Sequence, residues 1–304
     1  MNMKVGCIIQ GDIRRGTKLV LQELPKLFDY TVFSTWDDGK VVPAGNFELI
    51  RNLPPAAPGY THRNYQRLST ARGLEAAKAA GCDYVLKWRS DMLPTAISIE
   101  QLLQWANYQT SYNIQSRIVL PAFRNISIDP DTFSSIPDLF AFGHIDEMIK
   151  LWGDEGFDYS NMMNMPPSDQ LLTREFQDSS LLPDLYCAEA ELYALYRTKL
   201  ERSVNAVLTH KFVVENYLYL IDHRKLGILW FDKLNGFRSI GQAWEHPWWT
   251  VQNWARHNAK VYPCGYQSTG LIGKFKRKLS KFKVASELRM QEQIWNTTYP
   301  DAIL

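Results

Sequence analysis

No Cys-x-x-Cys pair occurs in this sequence, and its four cysteines, Cys7, Cys82, Cys187 and Cys264, are sparse for 304 residues. That argues against a disulfide scaffold and against a clustered thiolate metal site, and it suits reduced thiols in a cytoplasmic protein. No apolar run approaches the roughly 18 residues of a membrane span. The apolar stretch in Met1–Gln10 is too short for a secretory signal. Net charge is only +2, so there is no global case for nucleic acid as a partner. His-Glu-x-x-His, Gly-x-x-x-x-Gly-Lys-Ser/Thr, Gly-x-Gly-x-x-Gly and Gly-x-Ser-x-Gly are all missing. A zincin, a P-loop enzyme, a standard dinucleotide oxidoreductase and a typical serine hydrolase are thereby disfavoured. There is no internal repeat and no low-complexity tract.

What is present is an ordinary globular composition, 45% apolar and 22% charged, with 10 Trp, 15 Tyr and 14 Phe. Aromatic faces suit sugars and nucleobases, and they suit any core. Lys4 to Gln10 reads as a buried strand closed by Gly11-Asp12. Thr17 to Leu27 has a helical pattern that Pro25 shortens or kinks. Tyr30 to Thr35 and Phe47 to Arg51 read as further strands. Asn64 to Ala80 is the strongest helical stretch, and Gly81 ends it. Asp83 to Trp88 is the next strand, followed by Arg89-Ser90-Asp91. A helix over Ser98–Gln109 starts on a Ser98 cap with Gln101 three residues on. Strands at Ser116–Ala122 and Asp138–Gly143, helices at His144–Trp152 and Ala188–Thr198, and a strand at Lys211–Ile221 complete the reading. Strand and helix alternate as in a Rossmann-type, doubly wound, mostly parallel α/β sheet with helices on both faces.

Such sheets bind ligands beyond the carboxyl ends of their strands, where Arg89-Ser90-Asp91 falls. A divalent cation (Mn2+ or Mg2+) bridging a diphosphate leaving group wants carboxylate oxygen, and Asp91 is the candidate ligand. Arg89 and Lys87 carry charge suited to phosphates. Strand alternation, carried that far, puts Lys87, Arg89 and Asp91 on one side. The competing reading is a surface Arg–Asp pair closing a strand. The six histidines show no ligand spacing and suit structural or surface roles.

The runs Asn64–Glu75 and Tyr84–Asp91 resemble the WavE family of lipopolysaccharide synthesis proteins. Ile9-Gln10-Gly11, Ser34-Thr35-Trp36, Asp138–Gly143 and Leu151-Trp152 add to the resemblance, in order along roughly the first 230 residues. Weaker echoes are Ala188–Glu191, Asn216 and Leu226-Gly227-Ile228. Two positions depart from the family pattern: Arg67 follows Gln66 instead of preceding it, and Ala188 replaces a proline. The resemblance implies a glycosyltransferase-A-like fold, a nucleotide-sugar donor, and a growing glycan or lipid-linked glycan as acceptor. Arg89-Ser90-Asp91 would keep only the last acid of an Asp-x-Asp-like motif. By the same analogy Gln10, Gly11 and Asp12 face base and ribose, and Trp36 stacks on a base or is simply buried. Asn64, Gln66 and Arg67 open a helix whose N-terminus favours phosphate, or form a solvated first turn.

An inverting transfer needs a base. Asp138 is the first candidate, then Asp169 and Glu189, with Glu191 also available; acids at a helix start also serve its dipole. The alternatives are a nucleotidyl- or phosphotransferase using the same Asp91, and an inactive carbohydrate-binding relative. Two domains are expected: a catalytic one over 1–235 and a Trp-rich, partly helical extension over 236–304. Within the latter, 270–283 alternates Ile272, Phe275, Leu279 and Phe282 with lysines and Arg277. That pattern suits an anionic membrane surface, with the protein peripheral at the inner face of the inner membrane, or a solvated helix packed by its apolar edge.

Overall fold

The computed structural model describes residues 3–14, 16–59, 62–94, 97–110, 114–121, 136, 138–161, 188–221, 226 and 228–230. Asp169 and the 236–304 extension, with its 270–283 segment, lie outside the described residues.

The chain begins β1 (Val5–Gln10), α1 (Thr17–Glu23), β2 (Tyr30–Trp36), β3 (Glu48–Asn52), α2 (Arg63–Ala79) and β4 (Tyr84–Arg89). Next come β5 (Met92–Pro94), α3 (Ile99–Ala106), β6 (Ile118–Pro121), β7 (Ala141–His144) and α4 (Ile145–Trp152). Last are α5 (Ala188–Val204), α6 (His210–Tyr217), β8 (Leu218–Ile221) and β9 (Ile228–Trp230). Pro25 acts as expected: α1 tightens into a 3-10 turn over Leu24–Leu27. Gly81 adopts φ +75° after α2, a conformation that a Cβ disfavours. Ser98 caps α3, its hydroxyl accepting from the Gln101 amide at 3.3 Å.

Seven strands form one sheet in the order β3-β2-β1-β4-β7-β6-β8. The block β3-β2-β1-β4 is parallel throughout, and β6 pairs β8 in parallel. β7 runs antiparallel to both β4 and β6. β5 and β9 form a separate two-stranded ribbon. β1 is buried along its whole length and alternates between two cores, as a central strand covered on both faces must. Cys7 and Ile9 join Leu19–Leu21 of α1 and Leu102 and Trp105 of α3. Ile8 faces Leu74 and Ala77 of α2, with Met148 of α4, Tyr196 of α5 and Val213 of α6 on the same side. Helices therefore cover both faces. Cys7 and Cys82 are free and buried.

One expected strand needs correcting. Of Lys211–Ile221 only Leu218–Ile221 is strand; His210–Tyr217 is helix α6. Thr209 caps it, its hydroxyl accepting from the Phe212 amide at 3.2 Å. Val213, Val214 and Tyr217 are buried at helical spacing. Among the described residues no helix is long and apolar enough to cross a membrane.

Candidate functional site

A cleft of about 560 Å³ opens at the carboxyl ends of β1, β2 and β4. Its size suits a small-molecule ligand, and its place is where open α/β sheets bind theirs. Gln10, Gly11, Asp12 and Arg14 reach it from β1 and the following loop, and Trp36 and Asp38 from β2. Pro54 and Pro58 come from the loop after β3, and His62, Tyr65 and Gln66 from the start of α2. Arg89, Ser90, Asp91 and Asp138 complete the lining.

Ser90 ties two strand ends together. Its amide donates to the Gln10 carbonyl at 3.0 Å and its hydroxyl to the Asp12 carbonyl at 2.6 Å. Gly11 makes the contact possible: it sits at φ +123°, and a Cβ there would lie 2.9 Å from Ser90 Oγ. β4 stops at Arg89, and the chain turns back at once, with Trp88 Nε1 donating to the Met92 carbonyl at 2.7 Å. The simple alternation expected for Lys87, Arg89 and Asp91 therefore ends at Arg89.

The turn presents a charge cluster. Arg89 Nε donates to Asp91 Oδ1 at 2.9 Å and Arg89 Nη2 to Oδ2 at 2.8 Å, a bidentate pair. Arg14 Nη1 stands 3.4 Å from the same Oδ2. The Asp91 side chain is only 2% exposed, whereas that of Arg14 is 44% exposed. Nearby, Lys40 bridges Asp12 at 2.5 Å and Asp38 at 2.9 Å. The hydrogen bond from Lys40 holds the Asp38 carboxyl below the usual range.

Asp138 arrives by a different route. Because β7 is antiparallel, its start lies at the carboxyl edge of β4, where Ala141 pairs with Lys87. A residue just ahead of β7 thus borders the same cleft as Asp91. Asp138 Oδ2 accepts from Gln66 Nε2 at 2.5 Å.

Five expected candidates do not line the cleft. Lys87 is fully buried; its ammonium donates to the Asp138 carbonyl and lies 4.5 Å from the centroid of Trp152. Burial pushes its pKa down to about 7. Asn64 is turned inward and donates to the carbonyls of Ala57 and Asn161, both at 2.9 Å, pinning two loops. Arg67 is buried under Trp152 and Phe157 and donates to the Gly153 carbonyl at 3.0 Å. All three use their polar groups to hold backbone beneath the site. Glu189 opens α5, and its carbonyl meets the Ile136 amide at 3.4 Å, so it supports the segment leading to Asp138. Glu191 is committed to a buried ion pair with Arg63 at 2.9 Å.

Trp36 is buried, as one of its two expected readings has it. It is 7% exposed, packs edge-on to Tyr65 at 4.7 Å, and still borders the cleft. Sequence reasoning overlooked Arg14, His62, Tyr65 and Lys40. Arg14 was within reach, since the loop after a central parallel strand is a standard ligand position. Tyr65 and His62 had no such signal.

The donor set does not suit the expected divalent cation. Hard cations need several carboxylate or carbonyl oxygens converging on one point. Both Asp91 oxygens already face guanidinium nitrogens, Asp12 and Asp38 share an ammonium, and Asp138 faces an amide. Among the described residues no group of three His, Cys, Asp or Glu side chains could hold a metal ion.

The family model for WavE lipopolysaccharide synthesis matches residues 18–264. The chain belongs to that family, which ties it to lipopolysaccharide synthesis. No curated protein matches the chain significantly.

Proposed function

We propose that this protein is a glycosyltransferase, moving a sugar from a nucleoside-diphosphate sugar to a growing lipopolysaccharide or related surface glycan. The observation that carries this reading is the pairing of unlike groups across one cleft. Guanidinium groups of Arg14 and Arg89 stand on the β1 and β4 side, and the carboxylate of Asp138 stands at the start of β7. Leaving-group stabilisation and proton removal are the two needs of sugar transfer, and each has a candidate here. The strand order supports the reading too. A parallel β3-β2-β1-β4 block with a ligand edge beside an antiparallel β7 is compatible with the glycosyltransferase-A arrangement.

Trp36 and Tyr65 offer aromatic surface for the base, beside Gln10, Gly11 and Asp12. The diphosphate lies toward Arg14 and Arg89. Asp138, oriented by Gln66, takes the proton of the acceptor hydroxyl as its oxygen bonds to the anomeric carbon. The bond from that carbon to the diphosphate oxygen breaks, and the nucleoside diphosphate leaves with the electron pair. Work at the inner face of the inner membrane, through 270–283, belongs to the same proposal. Incubating the protein with a panel of nucleotide sugars and core-oligosaccharide acceptors tests the reading. Free nucleoside diphosphate is expected. Pyrophosphate release would instead identify a nucleotidyltransferase, and donor binding without turnover an inactive relative.

A further inference from the structure

We infer that the Arg14–Asp91–Arg89 cluster replaces a divalent cation in donor binding, with Asp91 acting as a positioning carboxylate and not as a metal ligand. The inference rests on the glycosyltransferase reading above and deepens it.

The geometry points this way in three respects. First, Asp91 is spoken for: Arg89 grips both of its oxygens through its Nε–Nη2 edge, and Arg14 approaches the second oxygen. A cation would have to displace charge-assisted bonds from a side chain that is 2% exposed. Second, the guanidinium groups of Arg89 and Arg14 on Asp91 already present positive charge toward a diphosphate, and a dication placed between them would be repelled. Third, the cluster is preorganised. Ser90 fixes the turn to β1, and Trp88 closes it to Met92. Arg14 sits in its own turn, its amide donating to Thr17 Oγ1 at 2.9 Å. Arg89 spends two of a guanidinium's five donors on Asp91, which sets the plane of the rest of the group. Preorganised charge of this kind needs no rearrangement when phosphate oxygens arrive.

The test is calorimetric binding of UDP, GDP, CDP, ADP and dTDP, each compared with its nucleoside, in EDTA and in excess Mn2+. At least one diphosphate is expected to bind equally well in both. Arg14→Met and Asp91→Asn should each weaken that diphosphate about 10- to 100-fold, the range of a charge-assisted hydrogen bond. The loss should be the same with and without Mn2+, and the matching nucleoside should be unaffected, which a general structural defect would not produce. Arg14→Lys should recover part of the loss. Because Arg14 is exposed, its variants carry the test even where Asp91→Asn fails to fold. Binding that collapses in EDTA and returns with Mn2+ overturns the inference while leaving the glycosyltransferase reading intact. Metal-free binding that ignores Arg14→Met overturns it as well. If no diphosphate binds under either condition, the donor reading itself fails.

Discussion

The cleft has two walls of different construction. One is built by β1, β2, β4 and the start of α2, from consecutive parallel units whose loops all leave at the same edge. The other is built by β7 and its lead-in, a strand reversed against its neighbours. On the first wall most charged groups are paired with opposite charge: Asp91 with two arginines, Asp12 and Asp38 with Lys40. On the second, Asp138 faces the neutral amide of Gln66. Charge pairing fixes geometry and suits a binding surface, whereas the Asp138 carboxylate is held by a neutral amide donor. The division of labour in the proposed reaction follows from that difference.

The largest expected effect tests this division directly. Asp138→Asn should lower kcat by about 10²–10⁴, the usual contribution of a general base, while leaving nucleoside-diphosphate affinity unchanged. Glu189→Gln, which alters a residue outside the cleft, should leave kcat near the wild-type value. Steady-state kinetics with separate binding measurements decide the matter. A loss of donor affinity in Asp138→Asn would erase the distinction between the walls.

The same contrast explains what was legible in the sequence. Parallel units announce themselves: an apolar run, a turn, a periodic helix, and a ligand edge at every strand's carboxyl end. Arg89 and Asp91 could be placed at a ligand edge on that logic, and Gln10, Gly11 and Trp36 by the family resemblance; all five line one cleft. Asp138 was the first candidate base even though it opens its expected strand, a place less typical for catalysis. Only the antiparallel pairing of β7 turns a strand's beginning into the ligand edge, and pairing direction is a long-range property. The fate of Lys87, Asn64 and Arg67 was hidden for a related reason. Polar side chains beside site residues look alike in sequence whether they face a ligand or a neighbouring backbone carbonyl. Here the backbone of α4, of the loops at Ala57 and Asn161, and of Asp138 takes them.

Packing beneath the parallel wall gives the next prediction. α2 crosses β1 so closely that a methyl on Gly73 would overlap Ile8 Cγ2. Alanine gains helix propensity of up to about 1 kcal/mol over glycine. Overpacking costs typically ~1–3 kcal/mol, so Gly73→Ala should destabilise on balance. Chemical denaturation measures it. A stabilised variant would mean that helix and strand separate easily, and that the first wall is less rigid than its ion pairs suggest.

Lys87 lies where the two walls meet. Its folded pKa is near 7, against 10.5 for an exposed lysine, because burial penalises the ammonium. Between those values the unfolded chain holds a proton that the folded chain has released. Stability therefore rises with pH in that window, by at most about 1.4 kcal/mol per unit from this group. Below pH ~7 the group is charged in both states and the burial penalty applies in full. Lys87→Met removes the titration. The variant should gain on the wild type at pH 6.5 and lose that advantage steadily toward pH 9.5. Denaturation curves for both proteins across this range give the difference. Parallel profiles would show that Lys87 does not change protonation on folding.

The smallest effect concerns the two helix caps. Ser98 was readable because Gln101 follows it in capping-box spacing, whereas Thr209 has Phe212 at the corresponding place and gives no such cue. The run Phe212-Val213-Val214 is β-branched and aromatic, which favours a strand reading when nothing marks a helix start. In the structure both hydroxyls do the same job, accepting the amide three residues on. Ser98→Ala and Thr209→Ala should thus cost similar amounts, about 1 kcal/mol each. Amide exchange at Phe212 should quicken in Thr209→Ala. If Thr209→Ala costs nothing, burial of Val213, Val214 and Tyr217 alone makes α6 helical. In that event no local signal could have revealed it, since the choice between helix and strand there would be made by the core and not by the cap.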